Sequence, residues 1–224
     1  MRRFLVPLAI GVIGAALLVA LGVWQLQRLD WKLGILADLQ ARMAADPVPV
    51  PQDPDPVADR YLPVRATGTT GAQELHVLVS TRAQGAGFRI VTPFALADGR
   101  TVLLDRGFVP TEAKGADRPP RDLTVTGNLH WPDERDRFTP DNDRAANYWY
   151  AREVDVMAAA LDTRPVMIVA RTTSSPDPAV TPLPLDISGI PNNHLGYAVQ
   201  WFGLALVWLA MTALWIRRIA RRSA

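Results

Sequence analysis

Residues 191–215 read PNNHLGYAVQWFGLALVWLAMTALW, a short polar opening that runs straight into apolar sequence. From Leu195 to Ile216 there is no charged residue, and roughly 20 apolar residues suffice for a helix to cross a bilayer. Pro191 keeps the chain non-helical just before the run, and Asn192 or Asn193 is a suitable N-cap. The reading is therefore a transmembrane helix over 195–216, with His194 at its lip. An imidazole there can ligate a metal or haem iron while its neighbours reach the acyl region. It can equally be a plain interfacial polar residue, and position alone favours that reading.

His194, Tyr197, Trp201, Trp208 and Trp215 recur at steps of three, four and seven, on one helical face. Gly196, Gly203 and Ala210 repeat every seven on the opposite face. Small residues admit a neighbouring helix closely, so this stripe is the expected seam with a partner span. The aromatic face is then expected to point away from that partner, towards lipid, a flat apolar ligand or another protein. An aromatic belt explains Trp201 and Trp215 near the interfaces, and Trp208 near mid-span less well.

The partner is at the N-terminus. Arg2 and Arg3 precede an apolar run over 4–26. It is too long for a cleaved signal core, and Gln25, Arg28 and Asp30 follow it instead of a small-residue cleavage site, so it reads as an uncleaved anchor. Gly11, Ala15, Leu18 and Gly22 share a face that would meet the Gly196/Gly203/Ala210 stripe. Arg2 and Arg3 lie before the first span, and Arg217, Arg218, Arg221 and Arg222 after the second. The positive-inside rule places both tails, 1–3 and 217–224, in the cytoplasm and the intervening chain outside. A bacterial inner membrane with a periplasmic domain is the simplest placement.

Between the spans, helical spacing continues past Gly22 and is expected to persist to about Ala45. Trp24, Arg28, Trp31 and Lys32 can share a side there, with rings at the headgroups. DPVPVPQDPDP over 46–56 cannot be helix or central strand and reads as a stiff extended linker closing the segment 27–56. The domain over 57–174 is expected to be β-rich, with strands over 64–70, 74–80, 88–96, 101–109, 123–129 and 165–171. Ala97-Asp98-Gly99-Arg100 is a hairpin signal, 149–151 a candidate short strand, and 154–161 a short helix. The expected fold class is α+β: two transmembrane helices flanking a mostly antiparallel sheet, barrel-like, with one helix packed on it. A Pro-rich stretch within 175–194 returns the chain to the membrane.

Composition excludes several functions. There is no cysteine, which removes disulfides, thiolate metal sites and thiol redox chemistry. The formal charge is +2, with basic residues dispersed, so nothing marks a nucleic-acid surface. His76 in a strand and His130 in a turn read as structural, since neither has a second ligand at metal spacing. Asp141-Asn142-Asp143 lacks the glycine and closing glutamate of a calcium loop. Residues 133–137, DERDR, read as a solvated loop, and no nucleophile elbow or phosphate loop is present.

Several segments together resemble the surfeit locus protein 1 family of cytochrome c oxidase assembly factors. They are Gly22-x-Trp24-Gln25-x-x-Arg28 with Trp31-Lys32; Tyr61-x-x-Val64-x-x-x-Gly68; Thr92-Pro93-Phe94 with Asp98-Gly99; Asp105-Arg106-Gly107-Phe108-Val109-Pro110; Gly127-x-Leu129; Asn147-x-Trp149-Tyr150; and Asn192-Asn193-His194-Leu195-x-Tyr197 with Trp201-Phe202-Gly203. They stand in family order over nearly the whole chain. Asp105 stands where the family often has Asn, and Gly196 where a larger polar residue is usual. The resemblance implies a non-enzymatic protein that serves haem a insertion into oxidase subunit I, with haem a synthase as a further partner. It implies His194 as axial ligand to haem iron, reversing the reading from position alone. Tyr197 and Trp201, one and two turns on, are then expected against the macrocycle or its tail. Arg28 or Arg106 could pair with a propionate, although Arg106, beside Asp105, is better read as half of a structural ion pair. A membrane adaptor that binds subunit I without haem is the alternative; a periplasmic enzyme has no support in the residues.

Overall fold

The computed structural model describes residues 2–187 and 190–221 and falls into two compact units. One comprises Met1–Asp38 with Ile187–Ala224, the other Leu39–Asp186.

The first unit is a helical hairpin. Helix α1 spans Arg2–Ala44, running on into the second unit, and α3 spans His194–Arg221. Both are long and apolar enough to cross a membrane. Pro7 lies in the second turn of α1, past the N–H groups that lack intrahelical partners, and proline is tolerated at such positions in membrane-spanning helices. At the start of α3 the Tyr197 N–H donates to the Asn193 carbonyl, which places Asn193 as the residue that opens the helix.

The helices pack through glycines on α1, as expected, but not through glycines on α3. A Cβ at Gly11 would lie 2.2 Å from Thr212, one at Gly14 2.3 Å from the Trp208 ring, and one at Gly22 2.6 Å from Phe202. The buried residues of α3 are Ala198 and Ala205. Gly196 and Gly203 have nothing within 4 Å of a Cβ position, and Ala210 is exposed. The expected seam on α3 is therefore the outer face. The expected orientation of the aromatic face is overturned for Trp208, which donates to α1, and for His194, which contacts it, whereas Tyr197 and Trp215 are exposed. The reason is steric: the glycines of α1 form hollows that Phe202, Trp208 and Thr212 of α3 fill, and the small residues α3 brings to the seam are Ala198 and Ala205, not its glycines.

The second unit is a seven-stranded mixed sheet with one helix and a 3₁₀ turn. Its strands are β1 (Val48–Pro49), β2 (Pro63–Thr70), β3 (Leu75–Thr81), β4 (Gly85–Leu96), β5 (Thr101–Pro110), β6 (Asp122–Leu129) and β7 (Met167–Thr173); α2 is Val154–Leu161. The order is β1-β2-β6-β7-β5-β4-β3, with β1/β2 and β5/β7 parallel and the other pairings antiparallel. β2 also pairs with β4 through Gly68, Thr69 and Thr70, so the circuit β2–β6–β7–β5–β4 returns to β2. Gly68 permits this double pairing, since a Cβ there would stand 2.2 Å from the Ala95 carbonyl. The β4–β5 turn forms at Asp98-Gly99: the Asp98 carboxylate accepts the Arg100 N–H at 3.0 Å, and Gly99 takes φ +86°.

Alternation along β5 divides the core. Val102 and Leu104 enter one cluster with Val64, Phe94, Val125 and Ile168. Leu103 points the other way, to Met167, Val169 and the α2 residues Val154, Met157, Ala158 and Leu161. The 46–56 stretch is not a free linker: Val48 and Pro49 add an edge strand beside β2, and Val50 joins the core. Proline is compatible with an edge, where no ladder donor is needed. Trp149 forms only an isolated bridge to Val77 rather than a strand. The return segment is partly docked, with Thr181 bridging Phe108 and Val180 buried; its Ser188 and Gly189 lie outside the described residues.

Candidate functional site at the mouth of the helical hairpin

His194 is the first residue of α3 and is half-buried. Its Nδ1 lies 2.8 Å from the Oε1 of Gln25 on α1. Nε2 has no hydrogen-bond partner among the described residues. Contacts on both sides hold this pair. Gly22, one turn before Gln25, takes the Phe202 ring against its backbone. Two turns beyond Gln25, the Lys32 ammonium donates to the Pro191 carbonyl, just ahead of α3. The antiparallel register of the two helices thus brings residue 25 to residue 194.

Tyr197 is 50 % exposed and Trp201 is half-buried, both on the same side of α3 as His194. Asn192, Asn193, Gly196, Tyr197 and Gln200 bound an open depression of about 380 Å³. Gly196 leaves room there that a side chain would fill. The Arg28 guanidinium lies 3.8 Å above the Trp31 ring and has no anionic partner among the described residues. The arrangement offers one unengaged imidazole nitrogen, aromatic surface and an unpaired guanidinium within a single hairpin.

The other ionisable residues singled out in the sequence are engaged in holding the sheet unit together. Asp105 is fully buried and accepts from Arg89 at 2.8 Å, from Arg152 at 3.0 Å and from the Gly107 N–H at 3.1 Å. Arg106 therefore does not pair with its neighbour; it donates to Asp177 at 2.6 Å. Adjacent strand residues point to opposite faces, which separates 105 from 106. Glu134 pairs with buried Arg152, so 133–137 is not simply a solvated loop. Burial pushes the Glu134 carboxyl up, but the Arg152 guanidinium outweighs it and holds the pKa below the usual range.

His76 Nε2 contacts Glu74 Oε1 at 2.6 Å, and Arg118 donates to the same carboxylate. Burial acts to raise the Glu74 pKa, yet the bonds from His76 and Arg118 hold it down to about 2. His130 stacks on Tyr61 at 5.3 Å, and burial together with Arg152 and Arg60 pushes its pKa down to about 4. Asn147, at φ +53°, accepts from the Trp149 indole and donates to the Glu74 carbonyl. No cluster of three or more potential metal-ligating side chains occurs among the described residues.

Gln25 is the residue that sequence reasoning missed. It was visible as an amide closing an apolar run, but only the pairing register of α1 and α3 reveals that it meets His194.

A model of the SURF1 family matches residues 12–206. The chain is 32 % identical over 211 residues to Surfeit locus protein 1 of Homo sapiens, covering 82 % of this chain and 68 % of the human protein. It is 32 % identical over 209 residues to the Rattus norvegicus protein of the same name, covering 82 % and 67 %. A SURF1-like protein of Monosiga brevicollis is 30 % identical over 202 residues, covering 81 % and 77 %. With the match running from the first third of α1 to the middle of α3 through every strand of the sheet, the chain belongs to the SURF1 family.

Proposed function

We propose that this chain is a membrane-anchored assembly factor for haem–copper oxidase that holds haem a through His194 and aids its insertion into subunit I. Family membership supports the oxidase assembly role. The observation that carries the haem reading is the state of His194: one nitrogen is engaged by Gln25, and the other has no partner among the described residues. An imidazole nitrogen with no other partner can ligate haem iron through its lone pair. Tyr197 and Trp201 supply apolar surface beside it, and Arg28 is available to an anionic propionate. When bound, haem a supplies the iron that the imidazole ligates and a long apolar tail suited to lipid.

On this reading both helices span a bacterial inner membrane, the termini are cytoplasmic and the sheet unit is periplasmic, its strand circuit forming a barrel-like core. Subunit I and haem a synthase are the partners, and the role is carriage rather than catalysis. The test is the absorption spectrum of protein purified from cells that make haem a. His194→Ala keeps the helix, because alanine is the best helix former, and should accumulate without haem. His76→Ala and His130→Ala should retain it. If His194→Ala carries as much haem a with the same spectrum, the ligand assignment is wrong; loss of subunit I binding by that mutant would then favour the haem-free adaptor.

A further inference from the structure

We propose that Gln25 is the positioning residue for His194: its amide oxygen holds the imidazole as the Nδ1–H tautomer and leaves Nε2 as the free base. The inference rests on the reading of His194 as a ligand only for its functional consequence. A neutral imidazole carries one N–H and one lone pair, and the partner of one nitrogen decides which is which. Oε1 of Gln25 has only lone pairs to offer, so at 2.8 Å the His194 Nδ1–H must be the donor. The lone pair then resides on Nε2, which has no partner among the described residues. In a solvated histidine the Nε2–H tautomer predominates, so Gln25 reverses the ordinary preference. The contacts at Gly22 with Phe202 and at Lys32 with Pro191 fix the helices on either side of the pair, so the bond is pre-organised. A ligating imidazole whose other nitrogen donates to an oxygen is oriented and made more basic, and loss of such a partner typically weakens metal affinity by about 10–100-fold.

The experiment is nitrogen NMR of the full-length protein, histidine-labelled with ¹⁵N, in bicelles and without haem. His76→Gln and His130→Gln variants assign the three histidines. The unchanged protein should show His194 as Nδ1–H. Gln25→Leu should shift it towards Nε2–H, and Gln25→Glu, which offers only acceptors, should restore Nδ1–H. In the haem-loaded protein, Gln25→Leu should weaken haem retention about tenfold and raise the reduction potential, with Gln25→Glu moving both the other way. A His194 that is already Nε2–H in the unchanged protein, or a tautomer indifferent to residue 25, overturns the proposal. Should Gln25→Leu fail to fold, the unchanged protein and Gln25→Glu still decide it. A tautomer that follows residue 25 in a protein that never binds haem a upholds the positioning role and sinks the ligand reading instead.

Discussion

The indole N–H of Trp208 donates to the backbone carbonyl of Gly11 at 3.1 Å. A helix-interior carbonyl already accepts from its own helix, and only the missing side chains at Gly11 and Gly14 let the indole reach this one. The bond therefore marks which faces of α1 and α3 meet, and its consequence is open to test.

Gly14→Leu should separate the helices, because a Cβ there would stand 2.3 Å from the Trp208 ring and the rest of the leucine would fill the hollow that the ring occupies. Gly203→Leu should leave them paired, since nothing lies within 4 Å of that position. Single cysteines at Gly11 and Thr212 should crosslink in this naturally cysteine-free chain, and a pair at Gly11 and Gly203 should not. The reverse pattern would restore the Gly196/Gly203/Ala210 stripe as the seam on α3.

Asp105→Asn should destabilise the protein by about 3–5 kcal/mol, because it leaves Arg89 buried without its carboxylate partner and Arg152 with Glu134 alone. Arg164→Ala removes an exposed pair with Asp53 and an exposed bond to the Gln52 carbonyl, and should shift the denaturation midpoint far less. Chemical denaturation in detergent, followed through tryptophan fluorescence, compares the two.

The sheet unit should lose stability as pH falls below about 6.5. The folded pKa of His130 is pushed down to about 4 from an ordinary 6.5, chiefly by burial, so the unfolded chain takes up the proton first. Stability is full above the ordinary value and falls by about 3 kcal/mol as pH drops through the window. Glu74 contributes its own loss only below its ordinary 4.5, and that loss runs on towards pH 2. His130→Phe keeps the stack on Tyr61 and should flatten the slope between pH 6.5 and 4.5; an unaltered slope would remove His130 as its cause.

If both termini are cytoplasmic, a reporter fused at Gly115, an exposed turn with open space around it, should be active only when it is of the exported kind. Activity of a cytoplasm-only reporter at that position would reverse the topology.

The two apolar runs, the strands around Val64, Phe94, Val102 and Val125, and the α2 helix could be read from sequence because each is a local pattern. A span needs length and apolarity, a half-buried strand alternates with period two, and a helix face repeats every three or four residues. Those periods state which residues are buried but not against what. That the glycines of α1 receive Trp208 and Phe202, while Gly196 and Gly203 face outward, depends on the complementary shapes of two distant segments. That Asp105 is neutralised by Arg89 and Arg152 rather than by Arg106 depends on strand register and on a loop far along the chain. His194 stood out by its position at the end of an uncharged run; Gln25 did not, because the bond between them spans 169 positions and exists only once two antiparallel helices have chosen their register.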